Sequence, residues 1–96
     1  MVNKKLAIDL SVLITKQDKA FVAYSPALDI STSGKSEKEV KVRFQELIGI
    51  FFKEIIEAGT VNEVLSELGW KKGQKSWTPP KVVSATSIGF NIPVLV

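Results

Sequence analysis

Residues 36–59, SEKEVKVRFQELIGIFFKEIIEAG, carry a helix-start signal at one end, a helix-stop signal at the other and one unbroken helical period between them. Ser36 followed three residues later by Glu39 is a capping box, in which each side chain satisfies a free backbone donor of the first turn. Gly59 stands where a left-handed stop belongs. Val40, Phe44, Leu47, Ile48, Phe51 and Ile55 recur on one helical face, while Glu39, Arg43, Glu46, Lys53 and Glu57 fall opposite. That charged stripe is expected to be solvated. Glu39 with Arg43 and Lys53 with Glu57 are opposite-charge pairs four apart, worth about 0.2–0.5 kcal/mol each on an exposed helix. Phe52 and Ile56 widen the apolar side by roughly a quarter turn, so a second element or a second subunit should cover them.

Before this helix the period changes from 3.6 to 2. From Lys5 to Thr15, Leu6, Ile8, Leu10, Val12 and Ile14 alternate with Ala7, Asp9, Ser11, Leu13 and Thr15, which predicts a half-buried strand whose even face lies on the Phe44 side of the helix. Residues 16–19 are polar and of hairpin-loop length, residues 20–24 resume β-type side chains, and Pro26 stops them. Residues 28–33 make a weaker third strand, and Gly34 supplies the turn into the helix cap.

After Gly59, Thr60 and Glu63 form a second capping box ahead of Val61, Val64, Leu65 and Leu68, and Gly69 closes a short second helix. Residues 70–81, WKKGQKSWTPPK, combine four lysines, two prolines and two tryptophans, the composition of a linker with aromatic anchors. Residues 82–92 return to alternation, with Val82, Ile88, Phe90 and Ile92 on one side and Ser87, Gly89 and Asn91 on the other. The expected fold is therefore α+β: a three-stranded antiparallel sheet with one long helix packed on it, in the order β-β-β-α, then a short second helix and a C-terminal strand. The expected organisation is a domain over 1–69, a linker over 70–81, and a terminal strand over 82–96, paired in cis or exchanged between subunits, since exchange is a common route to oligomers.

Composition narrows the function. The 96 residues suit one domain, and 45% hydrophobic with 24% charged residues is the balance of a globular chain. Without cysteine there are no disulfides, thiolate chemistry or sulfur-ligated zinc, and without histidine the commonest general base and metal ligand is missing. A formal charge of +3 falls short of the clustered excess that by itself argues for nucleic acid. No apolar run reaches the length of a membrane span, and Lys4 and Lys5 precede an alternating segment, unlike a signal peptide. A cytoplasmic protein with no membrane partner and no cofactor is expected.

With the order β-β-β-α in place, Ala23-Tyr24-Ser25-Pro26-Ala27-Leu28 followed by Ser33-Gly34-Lys35-Ser36 and Glu39 resembles the HicB-type antitoxin family. The likeness covers about residues 6–69 and combines motif, order and spacing. It implies a partial ribonuclease H-like unit that binds and blocks a small partner ribonuclease, the HicA-type toxin of a type II toxin–antitoxin system. Two departures limit what carries over. The glycine-cysteine pair often found after the tyrosine, proline and leucine is replaced by Asp29-Ile30-Ser31-Thr32, and residues 70–96 read as neither a helix-turn-helix nor a ribbon-helix-helix, so a DNA-binding module is not implied.

A ribonuclease H-like fold raises the question of metal-dependent phosphodiester cleavage, which needs converging carboxylates. Asp9 and Glu46 are the pair to consider, with Asp29 as a third, but Asp9 lies opposite the apolar face of its strand and Glu46 opposite that of its helix. No catalytic residue is expected and the protein is read as a non-enzyme. Phe52, Ile56, Trp77, Ile88, Phe90 and Ile92 are the candidates for a toxin or self-association surface, with Phe90, Ile92 and Trp77 as anchors, because an unpaired apolar strand is normally covered or used for strand addition. The alternative is a nucleic-acid-binding regulator in which Trp70, Lys71, Lys72 and Lys75 combine ring stacking with phosphate contacts.

Overall fold

The computed structural model describes residues 8–94, in the order β1 (Leu13–Gln17), β2 (Ala20–Ser25), β3 (Ile30–Gly34), α1 (Glu37–Ala58), α2 (Val61–Glu67), β4 (Lys71–Lys72) and β5 (Trp77–Thr78). The first three strands form an antiparallel sheet in chain order, and β4 and β5 form a separate two-stranded hairpin. The fold is α+β with one long and one short helix, as the periodicities predict.

Local chemistry sets most element ends. Asp18, at φ 56°, makes the two-residue turn that pairs Gln17 with Ala20, and the register runs from there to Leu13 opposite Tyr24. Pro26 then ends β2, because it has no N–H to donate. This is why the first strand is shorter and later than its alternation predicts: residues 8–12 have no partner strand left to pair with, although Leu10, Val12 and Ile14 still turn their half-buried side chains inward. Lys5, Leu6 and Ala7 lie outside the described residues. The loop 26–29 is closed by a hydrogen bond from Asp29 N to Ser25 O of 2.8 Å, with Asp29 at φ 54°. β3 accordingly starts at Ile30 rather than at residue 28.

α1 matches its end signals closely. Ser36 Oγ accepts from Glu39 N at 3.0 Å, and Gly59 adopts φ 70°. Gly59 N donates to Ile56 O and Thr60 N to Ile55 O, the paired bonds of a Schellman stop. Half of the expected box is missing, since the Glu39 carboxylate is engaged by Arg43 at 3.2 Å. The second helical pair is Glu37 with Lys41 at 3.1 Å; among the described residues the expected Lys53–Glu57 pair is not made. Both pairs that form place the acid N-terminal to the base, the order the helix dipole favours. Thr60 does not cap α2: its hydroxyl donates back to Ile55 O at 3.5 Å, because the residue already completes the stop of α1.

α1 crosses the sheet over β3 and β2. Gly34 permits the approach, since a Cβ there would meet Val40 N at 2.9 Å and Val40 Cα at 3.0 Å. The glycine is needed for this contact rather than for a turn. Two apolar clusters hold the helix down. Ala23, Val40 and Phe44 pack near its start, and Ala27, Leu28, Ile55, Leu65 and Trp70 pack near its end.

Two expectations about the C-terminal third need correction. Residues 70–81 are not a plain linker. α2 ends in a second Schellman stop, with Gly69 at φ 88° and Trp70 N donating to Leu65 O at 2.9 Å, which turns the Trp70 side chain inward to 4% exposure. Its Nε1 donates to Ala27 O at 2.7 Å, and β4 and β5 follow. Nor does the expected strand over 82–92 pair in cis: among the described residues, 79–94 contain no helix or strand. Alternation makes a strand only where a partner edge is within reach, and the chain leaves β5 through Pro79-Pro80, pointing away. Residues 95–96 lie outside the described residues.

Candidate functional site

Because α1 lies over β3 and β2, the inner side of residues 8–14, which lead into β1, and the flank of α1 nearest them face each other across open space. The result is a groove of about 1270 Å³. Ile8, Leu10, Val12 and Ile14 form one wall, and Val42, Phe44, Ile48, Phe52 and Ile56 form the other. Leu65, Trp70 and Trp77 close one end, and the polar lining is Glu37, Lys38, Lys41, Gln45, Lys75 and Ser76, with Lys41 paired to Glu37. The volume exceeds the roughly 300–1,000 Å³ of ordinary small-molecule pockets, and the walls lack the convergent polar groups that orient a small ligand. This surface suits an apolar chain segment.

Of the residues expected to make a partner or self-association surface, the fold brings Phe52, Ile56 and Trp77 together in this groove. Phe52 is half-buried and stands edge-on to Trp70, ring centroids 6.0 Å apart. Ile56 is exposed. Ile88, Phe90 and Ile92 are not brought there within the chain; they lie on the terminal segment, 86%, 80% and 74% exposed. The other wall residue that periodicity signalled only weakly is Val42. Val42, Gln45, Gly49, Phe52 and Ile56 are spaced three and four apart, a second stripe beside the main one in which Gln45 alone is polar.

The residues expected to meet nucleic acid do not form one surface. Trp70 has its ring in the core and its N–H on Ala27 O, so it cannot stack on a base. Lys71 and Lys72 occupy successive positions of β4 and therefore point to opposite sides. Lys72 lies over the Trp77 ring, 5.8 Å from its centroid, with Nζ donating to Asn62 Oδ1 at 3.4 Å. Lys75 belongs to the rim of the groove.

The carboxylates considered for catalysis are placed apart. Asp9 borders a smaller cleft beside Trp77 and Pro79, Glu46 is exposed on α1 outside the groove, and Asp29 accepts from Tyr24 Oη at 3.0 Å. That bond, followed by burial and the charge of Asp29, raises the Tyr24 pKa above its ordinary 10.0. Among the described residues, no three Asp or Glu side chains are grouped to share a metal ion, and no helix is long and apolar enough to cross a membrane. The Tyr24–Asp29 stretch has a structural role instead: Tyr24 and Asp29 tie the loop, while Ala27 and Leu28 bury themselves against Ile55, Leu65 and Trp70. Compared with family models, curated proteins and solved structures, the chain matches none.

Proposed function

We propose that this protein is a non-catalytic, cytoplasmic protein-binding module whose working surface is the groove between residues 8–14 and α1. The supporting observation is the groove itself: mainly apolar on both walls, with Glu37, Lys38, Lys41 and Lys75 among its charged lining residues. Burying apolar side chains there is favourable by about 25 cal/mol per Å² removed from water, and Phe52 and Trp77 offer the aromatic anchors that dominate such contacts. The resemblance of Tyr24, Pro26, Leu28, Gly34 and Ser36 to HicB-type antitoxins supplies the kind of partner. It is a small HicA-like ribonuclease, neutralised by occlusion rather than by chemistry. The dispersal of Asp9, Asp29 and Glu46 agrees with a binding role.

Capture of the tagged protein from its native cells, with and without nuclease treatment, tests this reading. The expected result is one small basic protein recovered in equal amount and insensitive to nuclease, lost when Val42 in the groove wall is replaced by Asp. Recovery of nucleic acid alone, or a partner retained by Val42→Asp, would overturn it.

A further inference from the structure

The same chain that leaves a groove open also carries an apolar segment with nothing on it. After Lys81 the residues VVSATSIGFNIPV include no charged side chain. Val83, Ile88, Phe90, Ile92 and Val94 are almost wholly exposed. Monomeric proteins rarely leave so much contiguous apolar surface in water. We infer that residues 82–94 of one copy lie in the groove of a second copy, and reciprocally, giving a closed two-fold dimer by exchange of tails. This rests on reading the groove as a protein-docking surface, and names the occupant it holds until a partner protein displaces the tail.

Four observations select this occupant. The first is length. The α1 wall from Lys38 to Ile56 runs about 27 Å at ~1.5 Å per residue, and residues 86–94 in extended form span about 26 Å at ~3.3 Å per residue. The second is pattern, because Ile88, Phe90, Ile92 and Val94 fall on one side of an extended chain and can all face the groove. The third is backbone pairing. Among the described residues β1 pairs with β2 alone and residues 8–12 with no strand, so this edge keeps N–H and C=O groups for an added strand. Charge is the fourth: a neutral tail enters past Glu37, Lys38, Lys41 and Lys75 without stripping water from a charge of its own.

The geometry also argues against the tail filling its own groove. Trp77 already closes one end of the groove, and Pro79-Pro80 follow at once, with Pro80 Cγ 3.8 Å from where a Cβ on Gly69 would stand. Two consecutive prolines favour an extended path. The radius of gyration is 16.8 Å, against about 13 Å for a compact chain of this size, so the tail runs outward. Exchange fills both grooves through two contacts related by the two-fold axis, so the interface as a whole is self-complementary.

Sedimentation or light scattering of the full chain at tens of micromolar tests the inference. It should give twice the mass of the chain, and Phe90→Asp should return it to a single mass with its circular dichroism spectrum unchanged. A wild-type protein that stays single, or a dimer that survives Phe90→Asp, overturns it. Because the chain has no cysteine, a Val42→Cys copy mixed with a Phe90→Cys copy provides the second test. Disulfide-linked pairs of the two variants are expected, whereas a doubly substituted chain that closes only on itself would show docking in cis. The two readings fail separately. A monomer whose partner is lost on Val42→Asp keeps the docking groove and removes the exchange, while a monomer with no protein partner removes both.

Discussion

The C-terminal end of α1 and its groove-facing flank are finished in opposite ways. At the C-terminal end of α1, Ile55 meets Leu65, Leu28 and Trp70, and the indole N–H closes the contact on a backbone carbonyl of the β2–β3 loop. Along the flank facing residues 8–14, Val42, Ile56 and Ile8 are exposed, while Leu10, Val12 and Ile14 are only half-buried along the groove. The closed region depends on a stop motif that throws one large ring inward. The open region exists because a single helix, displaced towards β3, cannot cover three strands. Closure here is thus a matter of one residue, while openness is a matter of layout, and substitutions should tell the two apart.

The largest effect is expected at Trp70. Replacing it by Ala removes the ring that closes the core and leaves the Ala27 carbonyl without its buried donor, at a cost of about 3–5 kcal/mol. Total stability in a domain of this kind is about 5–15 kcal/mol, so urea unfolding should shift strongly or the variant should fail to fold. Trp70→Phe should recover part of the loss, because packing returns without the hydrogen bond. If Trp70→Ala unfolds within about 0.5 kcal/mol of wild type, a surface value, the distinction between the two regions is wrong.

A sharper contrast lies one residue apart. Ile55 is 8% exposed and Ile56 is 63% exposed. Ile55→Ala should cost about 2–5 kcal/mol. Ile56→Ala, measured in the Phe90→Asp background so that association does not contribute, should stay within about 0.5 kcal/mol. Equal losses at both positions would mean that the flank is covered within the chain. Gly34→Ala tests the layout itself. The added methyl meets the backbone of Val40, and the helix must lift from β3 at a cost of about 1–3 kcal/mol, read as a lower thermal midpoint.

What the sequence made legible follows how far each signal reaches along the chain. Ser36, Glu39 and Gly59 act within one turn, so α1 could be bounded to within a residue. The first strand was placed too early because its length is decided elsewhere, by the Asp18 turn and by Pro26 ending its partner. Trp70 was legible as an aromatic anchor, and Gly69 followed by an apolar residue, with Leu65 five positions earlier, is the pattern of a Schellman stop with its apolar contact. The groove had no local signal beyond the second stripe through Val42 and Ile56, since it arises from where the helix sits across the sheet. The terminal alternation was visible, but a strand needs an edge, and no period can say which copy provides it.

The smallest effect concerns the loop that joins the two regions, and pH is the way to read it. The Tyr24 hydroxyl donates to Asp29, and this bond, burial and the negative charge all hold the proton on, so the folded pKa lies above 10.0. Below pH 10 both the folded and unfolded chains keep this proton, and the contribution of the bond is fully present. Between the unfolded pKa and the raised folded value the unfolded chain releases its proton first, so stability must fall as pH rises through that interval. Tyr24 is the sole tyrosine, and phenolate absorbance therefore reports on it alone. The folded protein should titrate above the denatured protein, and Asp29→Asn should lower the folded midpoint by removing the charge while keeping an acceptor. Asn tolerates the positive φ found at this position, so the loop survives the change and the shift can be assigned to charge. Identical midpoints in folded and denatured protein would mean that the Tyr24–Asp29 bond is not held in solution, and the loop that positions Ala27 for Trp70 would then depend on packing alone.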